Sequence, residues 1–213
     1  IVEMCEQDAD VIYYLAVYNE NYPMPAKPEN CDEGILKGLY KLRDAPAGDG
    51  PVVRLIGSGP IMLQVLDAVE KLETFGVRSE IWSATSYGEL RREGMDVARW
   101  NRLHPGEAMK STWVEQQFGD GASPIIAVSD NVAAVPDMIR EWVHAPFTVL
   151  GTDGFGRSDT RPALRRFFEI DGEAVALAAL SSLVREGQLD ASVYADALAK
   201  FEVSTERTDI TSL

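Results

Sequence analysis

Two glycines after an apolar run have a spacing that could serve phosphate chemistry. Gly57-Ser58-Gly59 follows the run Val52–Ile56 and precedes a helical pattern, where many α/β proteins cradle the diphosphate of a dinucleotide. The third position of that fingerprint is Met62 instead of a small residue. The nearest acid, Glu80, precedes the second predicted strand, too early to reach a ribose hydroxyl. The pattern therefore favours an ordinary strand-to-helix turn.

The two histidines are the next candidates, for acid–base chemistry. His144 lies between a helix and a strand in WVHAPF, where we expect a structural or helix-dipole role. His104 is the remaining catalytic candidate, in a loop with Arg102 and Glu107 nearby. No serine, cysteine or metal partner stands at a usable spacing from it, so a surface or interface histidine is the better interpretation.

The carboxylates and thiols form no metal-ligand pattern. The many acidic residues do not follow the spacing of a cation-binding loop. Cys5 and Cys31 are the only cysteines, which excludes a CxxC site and a disulfide framework. The sequence itself thus offers no catalytic residue, no cofactor-binding residue and no metal ligand, and His104 is kept only as a weak candidate for a functional role.

A glycine-rich loop between Phe147 and Asp171 has the most distinctive pattern in the chain. Glycines at 151, 154 and 156 follow the short apolar run Phe147–Leu150, which we expect to be a buried strand. Glycines let the backbone adopt positive φ and approach a neighbour closely. A helix should follow, with Asp159 or Thr160 as its cap, Pro162 in its first turn, and Leu164, Phe167 and Phe168 towards the core.

Bulk composition limits the class of protein. The 213 residues are 46% hydrophobic and 25% charged, as in a globular protein, and the net charge is −14. So acidic a chain is a poor partner for nucleic acid or for an anionic membrane surface. The cysteine content favours a reduced, cytoplasmic location. Because the chain starts at Ile1 in an acidic segment, we expect a piece of a longer protein.

The elements that position these residues alternate along the chain. Strands are predicted at Leu39–Arg43, Val52–Ile56, Ser79–Thr85, Pro124–Ser129 and Phe147–Leu150. Between and after them we expect a helix to about Thr74, shorter helices within 86–118 with a loop at 101–106, a helix at Val132–Val143, and helices at about 172–186 and 191–201. This alternation predicts an α/β fold, a mostly parallel five-stranded sheet with helices on both faces.

A domain boundary is predicted near residue 30. Val11–Val17 is apolar and rich in β-forming residues, so it fits a strand buried on both faces. Prolines at 23, 25 and 28 then indicate an extended connector. We therefore assign residues 1–30 to the end of an upstream domain and its linker, and 31–213 to a second domain.

Several motifs resemble one known superfamily. FGRSDTRPALRRFFEI resembles the C-terminal domain of transketolase-like proteins, which carry a phenylalanine-glycine loop after the last strand and then a helix with a closing aromatic pair. Lys37-Gly38-Leu39-Tyr40, the Gly57-Ser58-Gly59 turn and this loop fall in the family's order. Val11–Asn21 resembles the end of the family's middle, pyrimidine-binding domain. The resemblance covers nearly the whole chain.

Finer motifs are similar to one branch, the large homodimeric bacterial pyruvate dehydrogenases. These motifs are YYLAVYNENYPMP, RWNRLHP and LGTDGFGRSDTR. The resemblance implies a parent enzyme in which thiamine diphosphate and Mg²⁺ bind outside this segment. It implies decarboxylation of pyruvate and transfer of the acetyl group to a lipoyl arm. The implied partners are a second copy of the subunit and the lipoyl-bearing acyltransferase.

The resemblance also suggests two candidate sites. Where transketolases have an arginine-glutamine-asparagine run that grips a sugar phosphate, this chain has Asn19, Glu20, Asn21 and Tyr22. Loss of the cation suits a substrate without phosphate, so these residues are substrate-entrance candidates. Since family members are dimers, the 151–159 loop should pack against another domain or subunit. Phe155 would need cover, and Asp153, Arg157 and Asp159 would fix the loop's shape through hydrogen bonds.

Two other classes of function remain open. The first is a noncatalytic dimerisation or docking module that uses the same fold. The second is a free-standing nucleotide-binding domain built on the Gly57-Ser58-Gly59 turn, which would be stabilised by NAD.

Overall fold

The computed structural model describes residues 2–7, 9–13, 17, 20–203 and 205–206. Among these residues, five strands form one sheet: Leu39–Arg43 (β1), Val52–Gly57 (β2), Arg78–Ala84 (β3), Ile125–Val128 (β4) and Phe147–Leu150 (β5). Their order across the sheet is β1-β3-β2-β4-β5, and only β1 and β3 run antiparallel. The predicted α/β class and mostly parallel sheet are confirmed, and β1 is an edge strand as predicted.

Helices connect and cover these strands. In chain order the described ones are Val2–Cys5 (α1), Asp32–Lys37 (α2), Met62–Glu73 (α3), Tyr87–Leu103 (α4), Trp113–Phe118 (α5), Ala134–Asp137 (α6), Arg161–Phe167 (α7), Gly172–Arg185 (α8) and Ala191–Lys200 (α9). Short 3₁₀ turns occupy Gly59–Ile61 and Arg140–Trp142. Asp171 and Asp190 cap α8 and α9 through their carboxylates, as their positions in the sequence predict.

Apolar side chains on both faces of the sheet form the core. Successive strand residues point to opposite faces, so Leu55 packs with α3 and α8 whereas Ile56 packs with α4 and α5. Leu55 lies opposite Ile81 of β3 and Ile126 of β4, and all three are fully buried. Burying each such side chain contributes about 1.5–3 kcal/mol. The prediction of helices on both faces is therefore confirmed.

The helical connection after β3 differs from the prediction. A single helix, α4, runs from Tyr87 to Leu103, where we expected shorter helices and a loop from residue 101. Pro105 disfavours helical geometry only at the residue before it, so the helix continues until His104 takes φ −126° and ends it. The predicted loop thus begins three residues later.

The predicted helix Val132–Val143 is also wrong, because this segment forms two short pieces. Pro136 has no N–H to donate and lies in the single turn of α6. Ile139 and Trp142 are both buried, and their three-residue separation matches the tighter 3₁₀ turn at Arg140–Trp142.

Three burial predictions need correction. The Val11–Val17 strand is not formed in its described residues: 11–13 and 17 have no strand geometry, and Ile12 and Val17 are 92% and 87% exposed. A strand needs a pairing neighbour, and the described residues supply none there. β5 is half-buried because it forms the second edge of the sheet. The α7 residues predicted to face the core are likewise only half-buried.

Candidate functional site at the carboxyl edge of the sheet

The topology opens a crevice beside β2. The chain leaves β2 through α3 to reach β3 on one side, and later returns to pair β4 on the other. Such switch points are where open α/β sheets place their ligands, at the carboxyl ends of the strands. A cavity of about 300 Å³ lies there, which we call the switch-point cavity. Its walls come from the residues after β2, β4 and β5 and from α7: Ile61, Asp130, Thr152, Phe155, Leu164 and Phe168.

Hydrogen bonds join the loops after β4 and β5. The Thr152 hydroxyl donates to the Asp130 carbonyl over 3.0 Å, and the Thr152 N–H donates to the Asn131 carbonyl over 2.9 Å. Asp153 Oδ1 accepts from the Ala133 N–H at 3.2 Å. Gly151 makes this contact possible, since a Cβ there would lie 2.4 Å from the Ala133 nitrogen. The start of the glycine loop is therefore held by hydrogen bonds to the backbone of the loop that follows β4.

The remaining candidate residues of this loop lie at its outer part. Phe155 is 72% exposed, next to Gly154 at φ +94°. The Arg157 guanidinium lies 4.3 Å from the ring centroid of Phe167 on α7. Asp159 Oδ1 accepts from the Thr160 N–H at 2.7 Å, whereas the Thr160 side chain makes no capping hydrogen bond. The loop thus presents its one large apolar side chain to the outside.

The substrate-entrance candidates contact this same region. Glu20 forms an ion pair with Arg161, the first residue of α7. The Tyr22 hydroxyl donates to Glu20 Oε2 at 3.1 Å, and the Arg161 guanidinium lies 5.9 Å from the Tyr22 ring centroid. Asn21 is exposed, and Asn19 lies outside the described residues. The structure therefore brings Glu20 and Tyr22 beside the glycine loop, although they are remote from it in sequence.

Comparison with known families assigns this fold. The family model described as the transketolase-like TK C-terminal domain matches residues 38–171, from the start of β1 to the cap of α8. The chain belongs to this family. The matched range includes β1 to β5, the glycine loop and α7, and so most of the wall of the switch-point cavity.

Curated relatives of this transketolase-like domain share one name. A protein named "Pyruvate dehydrogenase E1 component" from Pseudomonas aeruginosa is 44% identical over 207 residues, which is 96% of this chain and 24% of that protein. The protein of the same name from Escherichia coli is 43% identical over 206 residues, 96% of this chain and 23% of that protein. The chain spans about a quarter of the length of the curated relatives it matches.

A solved structure supports the fold assignment. The chain is similar to a transketolase mutant from Pichia stipitis in complex with xylulose-5-phosphate, with a TM-score of 0.50 and 19% identity. The match covers 74% of this chain and 20% of that one. At this identity the likeness concerns the fold alone.

The Gly57-Ser58-Gly59 turn of the transketolase-like domain serves packing. A Cβ on Gly57 would lie 3.0 Å from the Met62 Cα and from Val65 Cγ2, so glycine lets β2 approach α3 closely. The Ser58 hydroxyl donates to the buried Ser129 hydroxyl at 3.2 Å, which joins the ends of β2 and β4. These contacts fit the predicted strand-to-helix turn.

Both histidines have structural contacts outside the cavity. The His104 ring stacks on Trp100, with centroids 4.4 Å apart, and its Nδ1 lies 2.8 Å from the Trp100 carbonyl oxygen. His144 Nε2 lies 3.1 Å from Glu115 Oε1. Neither histidine lines the switch-point cavity.

The partner of His144 also stabilises a helix end. Glu115 forms a capping box with Thr112 at the start of α5. Partial burial opposes ionisation of this carboxyl, but hydrogen bonds from the Thr112 N–H and hydroxyl and from His144 outweigh it and hold the pKa of Glu115 below its ordinary value.

The described part of the chain holds no candidate metal cluster and no candidate membrane-spanning helix. Within it, no three His, Cys, Asp or Glu side chains come close enough to share a metal ion. None of its helices has both the length and the apolar character needed to cross a bilayer. The described residues therefore offer no cluster of carboxylates for the Mg²⁺ of a thiamine diphosphate site.

Sequence reasoning missed part of this site. Asp130 and Thr152 follow β4 and β5, so their position at the carboxyl edge could have indicated them. Arg161 gave no such signal, because arginine in a first helical turn is usually solvated. Its role depends on a contact with Glu20 that the linear sequence does not reveal.

Proposed function

We propose that this chain is the C-terminal domain of a pyruvate dehydrogenase that decarboxylates pyruvate and passes the acetyl group to a lipoyl arm. The observation that carries the proposal is its identity of 43–45% with proteins named as the first component of pyruvate dehydrogenase, over at least 95% of its length. In this proposal residues 1–30 end the pyrimidine-binding domain and its linker, and 31–213 form the C-terminal domain.

The chemistry of decarboxylation belongs elsewhere in the parent protein. Thiamine diphosphate supplies the electron sink for the lost carbon dioxide, and Mg²⁺ holds its diphosphate. Within the described residues no three His, Cys, Asp or Glu side chains come together to hold Mg²⁺, so we assign both groups to domains upstream. We assign this chain two supporting roles, which are to hold the substrate-entrance segment and to form an interface.

The first contribution is to hold the substrate-entrance segment. Glu20 is tied to Arg161 and Tyr22, so α7 acts as a fixed support for the residues that enter the domain. We assign Asn19, Glu20, Asn21 and Tyr22 to the route by which pyruvate reaches the active site. An uncharged asparagine at position 19 suits a substrate that carries no phosphate.

The second contribution is an interface. Phe155 is exposed at the tip of a loop whose base is held by Thr152 and Asp153, so it is presented on a rigid support. A large exposed apolar side chain in such a place is typical of a contact surface. We assign the loop 151–159 to packing against another domain or the second subunit of a homodimer.

The proposed partners follow from this assignment. They are a second copy of the subunit and the lipoyl-bearing acyltransferase of a pyruvate dehydrogenase complex, in the cytoplasm. The net charge of −14 suits a partner that offers a basic surface and opposes binding to nucleic acid.

Acetyl transfer by the full-length protein tests the proposal. The protein that contains this chain is supplied with pyruvate, thiamine diphosphate, Mg²⁺ and a lipoylated acceptor domain, and acetylation of the lipoyl group is measured by mass spectrometry. We expect acetylation with pyruvate and none when pyruvate is omitted. A folded dimer that transfers no acetyl group would instead favour the noncatalytic dimerisation module.

A further inference from the structure

Arginines are concentrated on one wall of the switch-point cavity. Although the chain carries a net charge of −14, Arg157, Arg161 and Arg165 all line this one cavity. Arg161 and Arg165 are one helical turn apart on α7 and therefore lie on the same face as Leu164 and Phe168. The cavity thus has a cationic wall in an acidic protein.

Arg165 has the most unusual environment of the three. It is half-buried, and within the described residues its guanidinium has no hydrogen bond, ion pair or ring contact. By contrast, Arg161 pairs with Glu20, and Arg157 lies over the Phe167 ring. Arg165 lines the cavity without a counter-charge from the described residues, so its guanidinium is available to bind an anion that enters there.

The shape and position of the cavity favour a small molecule as that anion. Its volume of about 300 Å³ is at the lower end of ligand pockets. It lies at the switch point of the sheet, outside the carboxyl ends of β2 and β4. A guanidinium binds carboxylate or phosphate through two parallel hydrogen bonds.

The remaining walls of the cavity determine what chemical group can accompany the anionic group of the ligand. Ile61, Leu164, Phe168 and Ile170 provide apolar surface next to the arginines. An inorganic ion would leave this apolar surface exposed to water, whereas a ligand with a short hydrocarbon part would cover it. The cavity therefore matches a molecule with an oxyanion at one end and a few carbon atoms at the other.

We propose that the switch-point cavity binds a small organic anion, with Arg165 as the ligand of its carboxylate or phosphate group. The proposal stands independently of the proposed function.

Two probes distinguish the possible head groups. Phenyl phosphate and butanoate are titrated calorimetrically into the full-length protein, into its Arg165→Gln variant and into Arg91→Gln, which removes an exposed arginine of α4 away from the cavity. We expect one probe to bind, with affinity reduced roughly tenfold or more in Arg165→Gln and unchanged in Arg91→Gln. Binding of phenyl phosphate identifies a phosphate ligand, and binding of butanoate a carboxylate.

A second measurement needs no variant. Hydrogen–deuterium exchange of the unmodified protein is followed with and without the bound probe, and protection is expected in residues 152–168. No binding by either probe, equal affinity in Arg165→Gln, or protection confined to other segments would overturn the proposal.

Discussion

Glu20 and Arg161 form an ion pair that joins the segment preceding the domain to the first turn of α7. Tyr22 completes the contact through its hydrogen bond to Glu20. Both charged side chains are a little under half exposed, at 49% and 43%, so solvent screens the pair, and its contribution to stability is small. Its importance is geometric, because it fixes the proposed entrance segment to a helix that the glycine loop leads into.

Reversing either charge should therefore affect substrate entry more than folding. In the full-length enzyme we expect Glu20→Arg and Arg161→Glu each to raise the KM for pyruvate about two- to fivefold with little change in kcat, the range that an exposed ion pair allows. The double variant restores the pair and should restore KM. The swap of Glu89 and Arg92, an exposed ion pair on α4, is the control and should leave KM unchanged. A KM that fails to recover in the double variant would argue against the ion pair as the support.

Gly151 is expected to be indispensable for the base of the glycine loop. A methyl group there would lie 2.4 Å from the Ala133 nitrogen and 2.6 Å from the Ala133 Cα. Both are backbone atoms, so they cannot rotate away as the end of a side chain could. We expect Gly151→Ala to lower the free energy of unfolding by about 2 kcal/mol, as overpacking does. The control is Gly156→Ala, because a Cβ at Gly156 meets no atom within 4 Å. Urea unfolding that showed equal stability for the two variants would contradict this account.

Phe155 should matter in the full-length protein and not in the isolated chain. Because it is 72% exposed here, Phe155→Ser should change the unfolding free energy of the isolated 213-residue chain by less than about 0.5 kcal/mol. In the full-length protein the same change should cost about 2 kcal/mol, the value of a covered aromatic side chain. Phe155→Leu should retain most of that stability. Thermal unfolding of both proteins is the measurement, and equal shifts in both would refute the interface assignment.

The sequence predicts this fold well where apolar runs and capping residues agree. β2 to β4 are buried strands between amphipathic helices, so periodicity alone located them within one residue at each end. It failed at 132–143, where spacing alone does not separate an α-helix from two shorter turns. It also overestimated burial of Phe147–Leu150, since an apolar run does not reveal that a strand lies at an edge.

The residues of the site were also harder to predict from the sequence, because their burial and contacts arise only in the folded chain. The glycine spacing singled out the 151–159 loop because few other local backbone structures need three glycines so close together. Arg165, by contrast, is one of many charged helix residues, and its half-burial results from the packing of α7 beside the cavity. Only the folded chain brings Glu20 to Arg161.

Glu115 should make the stability of the domain sensitive to acid. Its folded pKa is held below the ordinary value, so the capping box stabilises the fold above that ordinary value and the stabilisation is lost as pH falls through the folded pKa. Glu115→Gln keeps a capping acceptor but cannot ionise. Urea unfolding at about pH 6 and about pH 3 should show a smaller loss of stability for Glu115→Gln than for the unmodified chain. Glu107→Gln removes an exposed carboxylate outside the cap and is the control; if it flattened the pH dependence equally, the cap would not be responsible.

Calorimetric titration of thiamine diphosphate with Mg²⁺ tests the central claim, that this domain supports a catalytic centre located elsewhere in its parent. Two samples are compared, the isolated 213-residue chain and the full-length protein that contains it. We expect saturable binding by the full-length protein and no binding by the isolated chain, because no three His, Cys, Asp or Glu side chains come together among its described residues to hold Mg²⁺. Micromolar binding by the isolated chain, or none by the full-length protein, would contradict it.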